Sequence, residues 1–366
     1  MKKIFTILLF SLILSTFGTY AEDKITLSRE FNLFTSKNLE GYLKPLFTSI
    51  GQSINSDLFT IANLKDDWSI GIDISINGMF IPNSQTTFDA QRPDAYGDTI
   101  IVKTAELRGG KILKNVIGNN SQPTIYGGQS NALFAAPQNH KLPDSSYKSV
   151  AYVEGNDITF MSGIPTIQFV FGFPTRTQLR FRFLTVPMND NSATYWGLGI
   201  TQNLDRFFNL FKQENKMGLG LNFAYSAINA GPSVSLSTWS YGLNFSKQWN
   251  KYLSLYAALQ FEGLKGKFEA VRDTDNMSNY IDNPFKEIRD GAPLTVNMET
   301  FTAFRIMGGI SYILGAFEFH GDVAWASQPI LSFGITATFG HFGRSKDDEW
   351  DEQWERDRIK FKDNNQ

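Results

Sequence analysis

Apolar and polar residues alternate one by one along several stretches of the chain. The clearest stretch is 68–81, where Trp68, Ile70, Ile72, Ile74, Ile76 and Phe80 share one parity and Ser69, Gly71, Asp73, Ser75 and Asn77 the other. Because successive side chains of a β-strand point to opposite faces, the pattern predicts a strand with one apolar and one polar face. A half-solvated strand of a soluble β-sandwich would look the same, so one stretch does not decide the class of protein.

Repetition of this pattern favours a barrel in lipid. The alternation returns at 167–173, 179–183, 196–200, 217–225, 239–245, 253–261, 304–312, 317–325 and 331–339. The longer stretches approach the roughly 9–11 residues that a tilted strand needs to cross a bilayer. Trp and Tyr stand mostly near the strand ends, as in an interfacial aromatic girdle. Since lipid offers no hydrogen-bond partner to an open sheet edge, the sheet is expected to be closed.

The predicted fold is therefore all-β, a transmembrane antiparallel up-and-down β-barrel. Single-chain bacterial barrels have an even number of strands, with short periplasmic turns and longer outer loops. Counting back from Phe339 at the periplasmic end leaves an odd number if 99–107 is a strand. One more weak strand is then expected around 124–134. The expected count is about twelve strands, with ten or fourteen as alternatives.

The N-terminus has the three parts of a secretory signal peptide. Lys2 and Lys3 precede a short apolar core at 4–14, and Thr19 and Ala21 stand at the two positions that a signal peptidase reads. The apolar core is shorter than the roughly 20 residues of a spanning helix. We expect residues 1–21 to be removed and the mature chain to reach the outer membrane of a bacterial-type cell.

The segment at 22–66 does not follow the barrel pattern. Its apolar residues recur at helical spacing: Leu39, Tyr42, Leu43, Leu46, Phe47, Ile50 and Ile54. Pro45 and Gly51 predict that the helix is short or broken. Two interpretations remain open, a plug that enters the barrel lumen and a periplasmic helix that leans on the barrel mouth.

The barrel is predicted over 67–340, and two further segments have a different character. Leu204, Phe207, Phe208, Leu210 and Phe211 predict an amphipathic helix within 203–216, lying against the inner leaflet of the outer membrane. The residues from 341 to 366 form a charged periplasmic tail, either a solvated helix or a disordered segment.

Composition supports strands with one apolar and one polar face. The chain has 32 Phe and 30 Gly, yet its mean hydropathy is −0.22. The net charge of −2 gives no basis for a nucleic-acid partner. There is no cysteine, which excludes disulfides and thiolate metal sites, and no phosphate loop or metal-ligand spacing occurs. No cofactor or metal is expected.

Charged residues on the polar faces are the candidate lumen-lining residues. They are Arg180, Arg182, Arg305, Glu318, His320 and Asp322. If the lumen is open, a basic wall about half a barrel from an acidic wall would set up a field across the pore. If the lumen is filled, these charges pair with each other or with Glu40 and Asp57 of the N-terminal segment.

Catalysis is the weakest hypothesis. A Ser–His–acid arrangement needs a histidine, and the chain has only His140, His320 and His341. Ser311, His320 and Asp322 are a conceivable set, but Asp322 shares the strand face of His320 instead of standing behind its ring. We expect a protein that is not an enzyme.

Four segments carry a resemblance to known proteins: LKPLFTSIGQSINSDLFTIA at 43–62, INGMFIPNSQTTF at 76–88, GIPTIQFVFGFPTRTQLRFRFL at 163–184 and WGLGITQNLDRFF at 196–208. The chain resembles an uncharacterised outer-membrane family of unknown function. It is also loosely similar to long-chain fatty-acid-transporter barrels, which have an N-terminal hatch. The resemblance implies an outer-membrane barrel and uptake of an apolar molecule.

The leading functional expectation is a passive channel or transporter for a small apolar or amphipathic solute. The alternatives are a structural or interaction barrel with a closed lumen and, least favoured, a lumen hydrolase. The expected partners are outer-membrane lipid and the barrel-assembly machinery. The strand that ends at Phe339 resembles the C-terminal strand that this machinery reads.

Overall fold

The computed structural model describes residues 25–27, 35–64, 67–90, 100–103, 121–128, 132–135, 149–151, 153–188, 191–208, 210–211, 216–272, 293–300 and 304–342. The predicted signal peptide lies outside these residues, as does the predicted tail beyond Phe342. The described helices are α1 (Ser36–Asn55) and α2 (Asp205–Phe208), with a 3₁₀ turn at Asn83–Gln85. The described strands are β1 (Ile25–Leu27), β2 (Trp68–Phe80), β3 (Thr87–Asp89), β4 (Ile100–Lys103), β5 (Ser121–Pro123), β6 (Ala132–Ala135), β7 (Ser149–Ala151), β8 (Phe160–Ser162), β9 (Thr166–Phe173), β10 (Thr177–Met188), β11 (Asn191–Asn203), β12 (Met217–Ala230), β13 (Val234–Gln248), β14 (Leu253–Arg272), β15 (Pro293–Thr300), β16 (Arg305–Leu314), β17 (Phe317–Trp325) and β18 (Ile330–Phe342).

Ten antiparallel strands form a closed barrel. The pairing order is β2, β9, β10, β11, β12, β13, β14, β16, β17 and β18, and β18 pairs back with β2. Two extra strands lengthen this wall. β8 pairs with the last residues of β2, beyond those that pair with β9, and β15 pairs with the last part of β14, beyond the part that pairs with β16. β1 lies parallel to the far end of β14.

The even strand number agrees with the sequence prediction, and the barrel has ten strands, which was the lower of the predicted alternatives, instead of twelve. Within 99–107 the described strand is β4, which joins β6 and β7 in a separate three-stranded sheet. β5 pairs with β3 in another small sheet, and β6 covers the end of the weak strand expected at 124–134. All these strands lie in the connection between β2 and β8. Alternation reports that a segment is extended, but it does not report which strand pairs with it.

The two faces of the barrel strands have opposite chemistry, as the alternation predicts. On β2, Ile74 is 58% exposed, whereas its neighbours Asp73 and Ser75 are buried. On β10, Phe181 and Phe183 are exposed and Arg180 and Arg182 are buried. Apolar side chains therefore cover the outside of the barrel, and polar side chains line its inside.

The two ends of the barrel differ in their connections. We call the end where β2 begins and β18 finishes the lower end, and the opposite end, with the long connections after β2 and β14, the upper end. At the lower end, β16 turns into β17 through Gly315, whose φ of +63° is a conformation that glycine adopts at little cost. None of the described helices is long and apolar enough to cross a membrane.

α1 is a continuous helix of 20 residues, not the short or broken one predicted. Thr35 is its N-cap: the Thr35 Oγ1 accepts a hydrogen bond from the Asn38 N–H (3.2 Å). Pro45 cannot donate to the preceding turn, but it lies buried, as do the residues after it as far as Asn55 except the half-buried Ile50. At Gly51 the helix comes close to the wall, because a Cβ added at this position would lie only 2.1 Å from Leu264 Cδ1.

α1 lies inside the barrel, where its buried residues contact the inner face of the wall. In the upper half, Leu39, Leu43 and Phe47 of α1 form one apolar core with residues of the extended wall, among them Leu264, Phe268, Leu294 and Val296. Residues 56–64 continue down the lumen and lead to β2. We refer to the described residues 35–64 as the plug. The second helix, α2, is only four residues long instead of filling 203–216.

Candidate functional site

The last turn of α1 is held by arginines from the barrel wall. Arg182 of β10 donates from Nη2 to the Ser56 carbonyl (2.6 Å) and from Nη1 to the Ile54 carbonyl (3.2 Å). Carbonyl groups at a helix C-terminus lack donors within the helix and carry the negative end of its dipole. A buried guanidinium at this position therefore satisfies both the hydrogen bonds and the charge.

Two further arginines contact the same region. Arg180 donates to the Asp57 carbonyl (3.1 Å) and to Thr60 Oγ1 (2.8 Å). Arg305 of β16 donates to the Gln52 carbonyl (3.1 Å), and its Nε lies 3.0 Å from Glu262 Oε1 in a buried ion pair. We call Arg180, Arg182 and Arg305 the arginine clamp, since they hold the end of α1 and the residues after it from two strands, β10 and β16.

Below the clamp, amide and hydroxyl side chains of the wall bind the main chain of the plug. Asn203 Nδ2 donates to the Ala62 carbonyl (2.7 Å), and Asn244 Nδ2 donates to the Thr60 carbonyl (3.3 Å). Ser246 Oγ accepts from the N–H groups of Ala62 and Asn63, at 2.8 Å each. The lower plug is thus held largely through its backbone.

A hydrogen-bonded network links the clamp to the acidic residues of the lumen. Gln168 accepts from Arg182 Nε (2.9 Å) and donates to Asp73 Oδ1 (2.7 Å). The other oxygen of Asp73 lies 2.7 Å from His320 Nε2 and accepts from Thr336 Oγ1 (2.5 Å). Hydrogen bonds therefore connect the charged groups of Arg182 and Asp73 across the neighbouring strands β10, β9, β2, β18 and β17.

The upper end of the plug is covered by the connection between β2 and β8. Tyr126 OH donates to Ser49 Oγ (2.8 Å), and Tyr42 OH donates to the Glu154 carbonyl (3.1 Å). Burial raises the pKa of Tyr126 above its usual range, so this phenol stays a donor at neutral pH. Gln328, between β17 and β18, also donates to the Pro45 carbonyl (3.2 Å).

All six candidate lumen residues lie on the inner face of the sheet. Arg180, Arg182, Arg305, His320 and Asp322 are buried, and Glu318 is half-buried near the lower end. The shorter path from β10 to β17 runs through β9, β2 and β18, so the basic and acidic strands are less than half a barrel apart.

The structure has the filled-lumen arrangement instead of two opposed charged walls. The main partners of the arginine clamp are plug carbonyl oxygens, which a sequence does not distinguish because every residue has one. Glu262, the ion-pair partner of Arg305, was not among the lumen-lining residues predicted from the sequence. Its inward parity on β14, two residues after Gln260, was the available signal.

The conceivable catalytic set is not assembled. Ser311 Oγ donates to Glu318 Oε1 (2.6 Å), His320 is bonded to Asp73, and Asp322 accepts from Tyr256 OH (3.2 Å). His140 and the side chain of His341 lie outside the part of the chain that the structure describes. Within that part, no group of three or more His, Cys, Asp or Glu side chains is placed to hold a metal ion.

Comparisons with known proteins give one family and distant structural likenesses. The model of a "Family of unknown function (DUF6588)" matches residues 1–339. No curated protein matches the chain. The chain is similar to Ail, the attachment invasion locus protein of Yersinia pestis, at 12% identity over 44% of this chain and 93% of that chain, with a TM-score of 0.23.

Two further solved structures are similarly distant. The CymD monoaromatic hydrocarbon channel is 8% identical over 82% of this chain and 98% of that chain, with a TM-score of 0.19. OpdO of Pseudomonas aeruginosa is 8% identical over 76% and 98%, with a TM-score of 0.17. The fold of this chain rests on its own strand register, not on such values. The resemblance to long-chain fatty-acid transporters has no support in these comparisons.

Proposed function

The chain belongs to the DUF6588 family of unknown function, and we propose that it is an outer-membrane barrel whose own N-terminal segment gates a route for a small solute. The membrane location is supported by the outside of the barrel. Phe183, Phe223, Ile310 and Phe333 are each at least half exposed on four different strands, a surface that water would not stabilise. Closed β-barrels are the strand structures that lipid tolerates.

The orientation follows from the connections. Periplasmic turns of such barrels are short, and outer loops are long. The lower end, with both termini of the strand ring, then faces the periplasm, and the connections after β2 and β14 face outward. Exposed Phe207 and Phe208 of α2, and Leu210 after it, would lie at the inner leaflet. The final strand, through Phe339, remains our candidate for the contact with the barrel-assembly machinery.

The observation that carries the gating proposal is the way in which the lower plug is held. Its backbone is bonded to Arg180, Arg182, Asn203, Asn244 and Ser246, and polar groups of this kind are equally well satisfied by water. A polar interface between plug and wall can hydrate and open at a lower cost than an apolar core. The lower plug therefore has the kind of contacts that we expect of a segment that moves.

A second candidate function is favoured by the upper half of the plug. There α1 is buried in an apolar core and covered by the loop that contains Tyr126. A plug anchored in this way fits a structural or interaction barrel whose lumen stays closed and whose outer loops bind a partner.

Loosening the clamp separates these two functions. Arg182→Met in the full-length protein removes the two hydrogen bonds from Arg182 to the plug main chain. The Ser56 carbonyl is then left without a donor, at about 1–3 kcal/mol, while the Ile54 carbonyl still accepts from Ser226 Oγ and Tyr195 OH. We expect the open probability in planar bilayers to rise at least about tenfold over the native protein. Lys265→Met, an exposed residue above the barrel, is the matched control and should change nothing.

Heat-modifiable gel mobility verifies that each variant is a folded barrel before it is recorded. A folded Arg182→Met barrel that conducts no more than the native protein would contradict the gate and favour the structural candidate.

A further inference from the structure

One part of the lumen wall is polar without being charged. On β11, β12 and β13, no charged side chain points inward among the residues described. We call this surface the uncharged strip. Its inward residues include Thr201, Asn203, Gly220, Asn222, Ala224, Ser226, Thr238, Ser240, Gly242, Asn244 and Ser246. The inward charges lie on β2, β10, β14, β16 and β17.

Several polar groups on and beside this strip are buried without a partner. Asn222 is 1% exposed, and neither its Nδ2 nor its Oδ1 has a hydrogen-bond partner among the described residues. The same holds for Ser240 Oγ and Gln260 Oε1. A buried polar group left unpaired costs about 1–3 kcal/mol, so native proteins rarely keep one without a use for it.

The register brings these three groups to one place. Asn222 pairs with Gly242 on β13, and Gly242 pairs in turn with Gln260 on β14. Ser240 is the next inward residue on β13 after Gly242. Gly242 has no side chain, and the Gln260 side chain covers it. A Cβ added to Gly242 would lie 2.9 Å from Gln260 Cγ. Neighbouring strands are about 4.8 Å apart, so the three polar groups can contact one small molecule.

The plug covers this place, and the nearest inward charges are paired with each other. Leu58 and Phe59 of the plug pack on Ala224, the next inward residue on β12 after Asn222. Arg305, the register partner of Gln260, lies 3.0 Å from Glu262 Oε1 in a buried ion pair and donates to the Gln52 carbonyl. A charged ligand would have to compete with this ion pair, and an apolar one would leave the amides unpaired.

We propose that Asn222, Ser240 and Gln260 form a lumen subsite for a small uncharged molecule rich in hydroxyl groups, of the polyol or monosaccharide class. Amide and hydroxyl side chains both donate and accept hydrogen bonds, as the hydroxyl groups of such a molecule do. The subsite names the solute class for the gated route and so rests on the proposed function. It differs from the apolar solute that the fatty-acid-transporter resemblance implies.

D-arabinose is the probe, titrated calorimetrically into the full-length protein in detergent. We expect arabinose to bind, and gluconate and glucosamine, its charged counterparts of similar size, to bind at least about tenfold more weakly. Asn222→Leu with Gln260→Leu should weaken arabinose binding about tenfold or more. Asn229→Leu, an exposed residue on the same strand, is the matched control and should bind arabinose as the native protein does.

Stability in the absence of sugar separates a binding role from a structural one. Because both polar atoms of the Asn222 amide and the Gln260 Oε1 have no partner among the described residues, the double variant should be as resistant to urea as the native protein, or more so. Lower resistance would mean that the amides hold the fold, and it would overturn the subsite. So would no arabinose binding, equal binding by the double variant, or preference for gluconate.

Failure of the subsite and failure of the gate can be told apart. Arabinose binding together with a silent Arg182→Met barrel would keep the subsite and remove the gated route. Current through Arg182→Met without arabinose binding would keep the gate and remove the subsite.

Discussion

At the scale of single residues, the alternation predicted which side chains point inward, but not what they contact. Arg180, Phe181 and Arg182 were assigned to the correct faces of β10 by parity alone. The contacts of Arg182 include two plug carbonyls, from residues more than a hundred positions away. Such contacts depend on the path of the plug and not on any side chain that a sequence displays.

The face assignment can be tested at Phe181. Phe181→Arg would place a charge in hydrocarbon, at a cost of as much as about 2–4 kcal/mol near the midplane. Phe181→Leu keeps the surface apolar and is the control. We expect the arginine variant to yield much less heat-modifiable barrel in membrane fractions than the leucine variant. Equal yields would mean that Phe181 does not face lipid.

At the scale of elements, the apolar stripe correctly predicted α1. The prediction from Pro45 and Gly51 that the helix is short or broken was wrong. Pro45 and Gly51 usually weaken helices, but here the surrounding wall supplies the packing that an isolated helix lacks. Gly51 is also where the helix comes closest to Leu264. Inside a narrow lumen, a small residue improves the fit more than its helix propensity costs.

The apolar core around α1 predicts a contrast between two of its positions. Phe47 is buried against Gly266, while Lys44 is exposed at the upper end. Phe47→Ala should lower the free energy of unfolding by about 3–5 kcal/mol, because it leaves a cavity in a packed core. Lys44→Ala should change it little. Urea unfolding followed by tryptophan fluorescence measures both. A small effect at Phe47 would show that the upper plug is loosely held.

At the scale of the whole molecule, the sequence predicted a closed barrel with an even number of strands and left the position of the N-terminal segment open. The strands counted in excess overlap β4 and β6, which pair with each other in a small sheet in the connection after β2. The plug position follows from long-range pairing between wall and main chain, which local patterns do not encode. The plug contacts the barrel through an apolar core above and through hydrogen bonds to its main chain below, where we propose the gate.

The central claim is that the lower plug closes the lumen, and a disulfide tests it directly. Leu58 Cβ lies 3.5 Å from the position of a Cβ on Gly199, within the range of natural disulfides. The chain has no cysteine, so Leu58→Cys with Gly199→Cys creates a single pair. In the Arg182→Met background, oxidation should form the bridge and abolish the current in planar bilayers, and a reductant should restore it. Current that persists through the bridged protein would contradict the account.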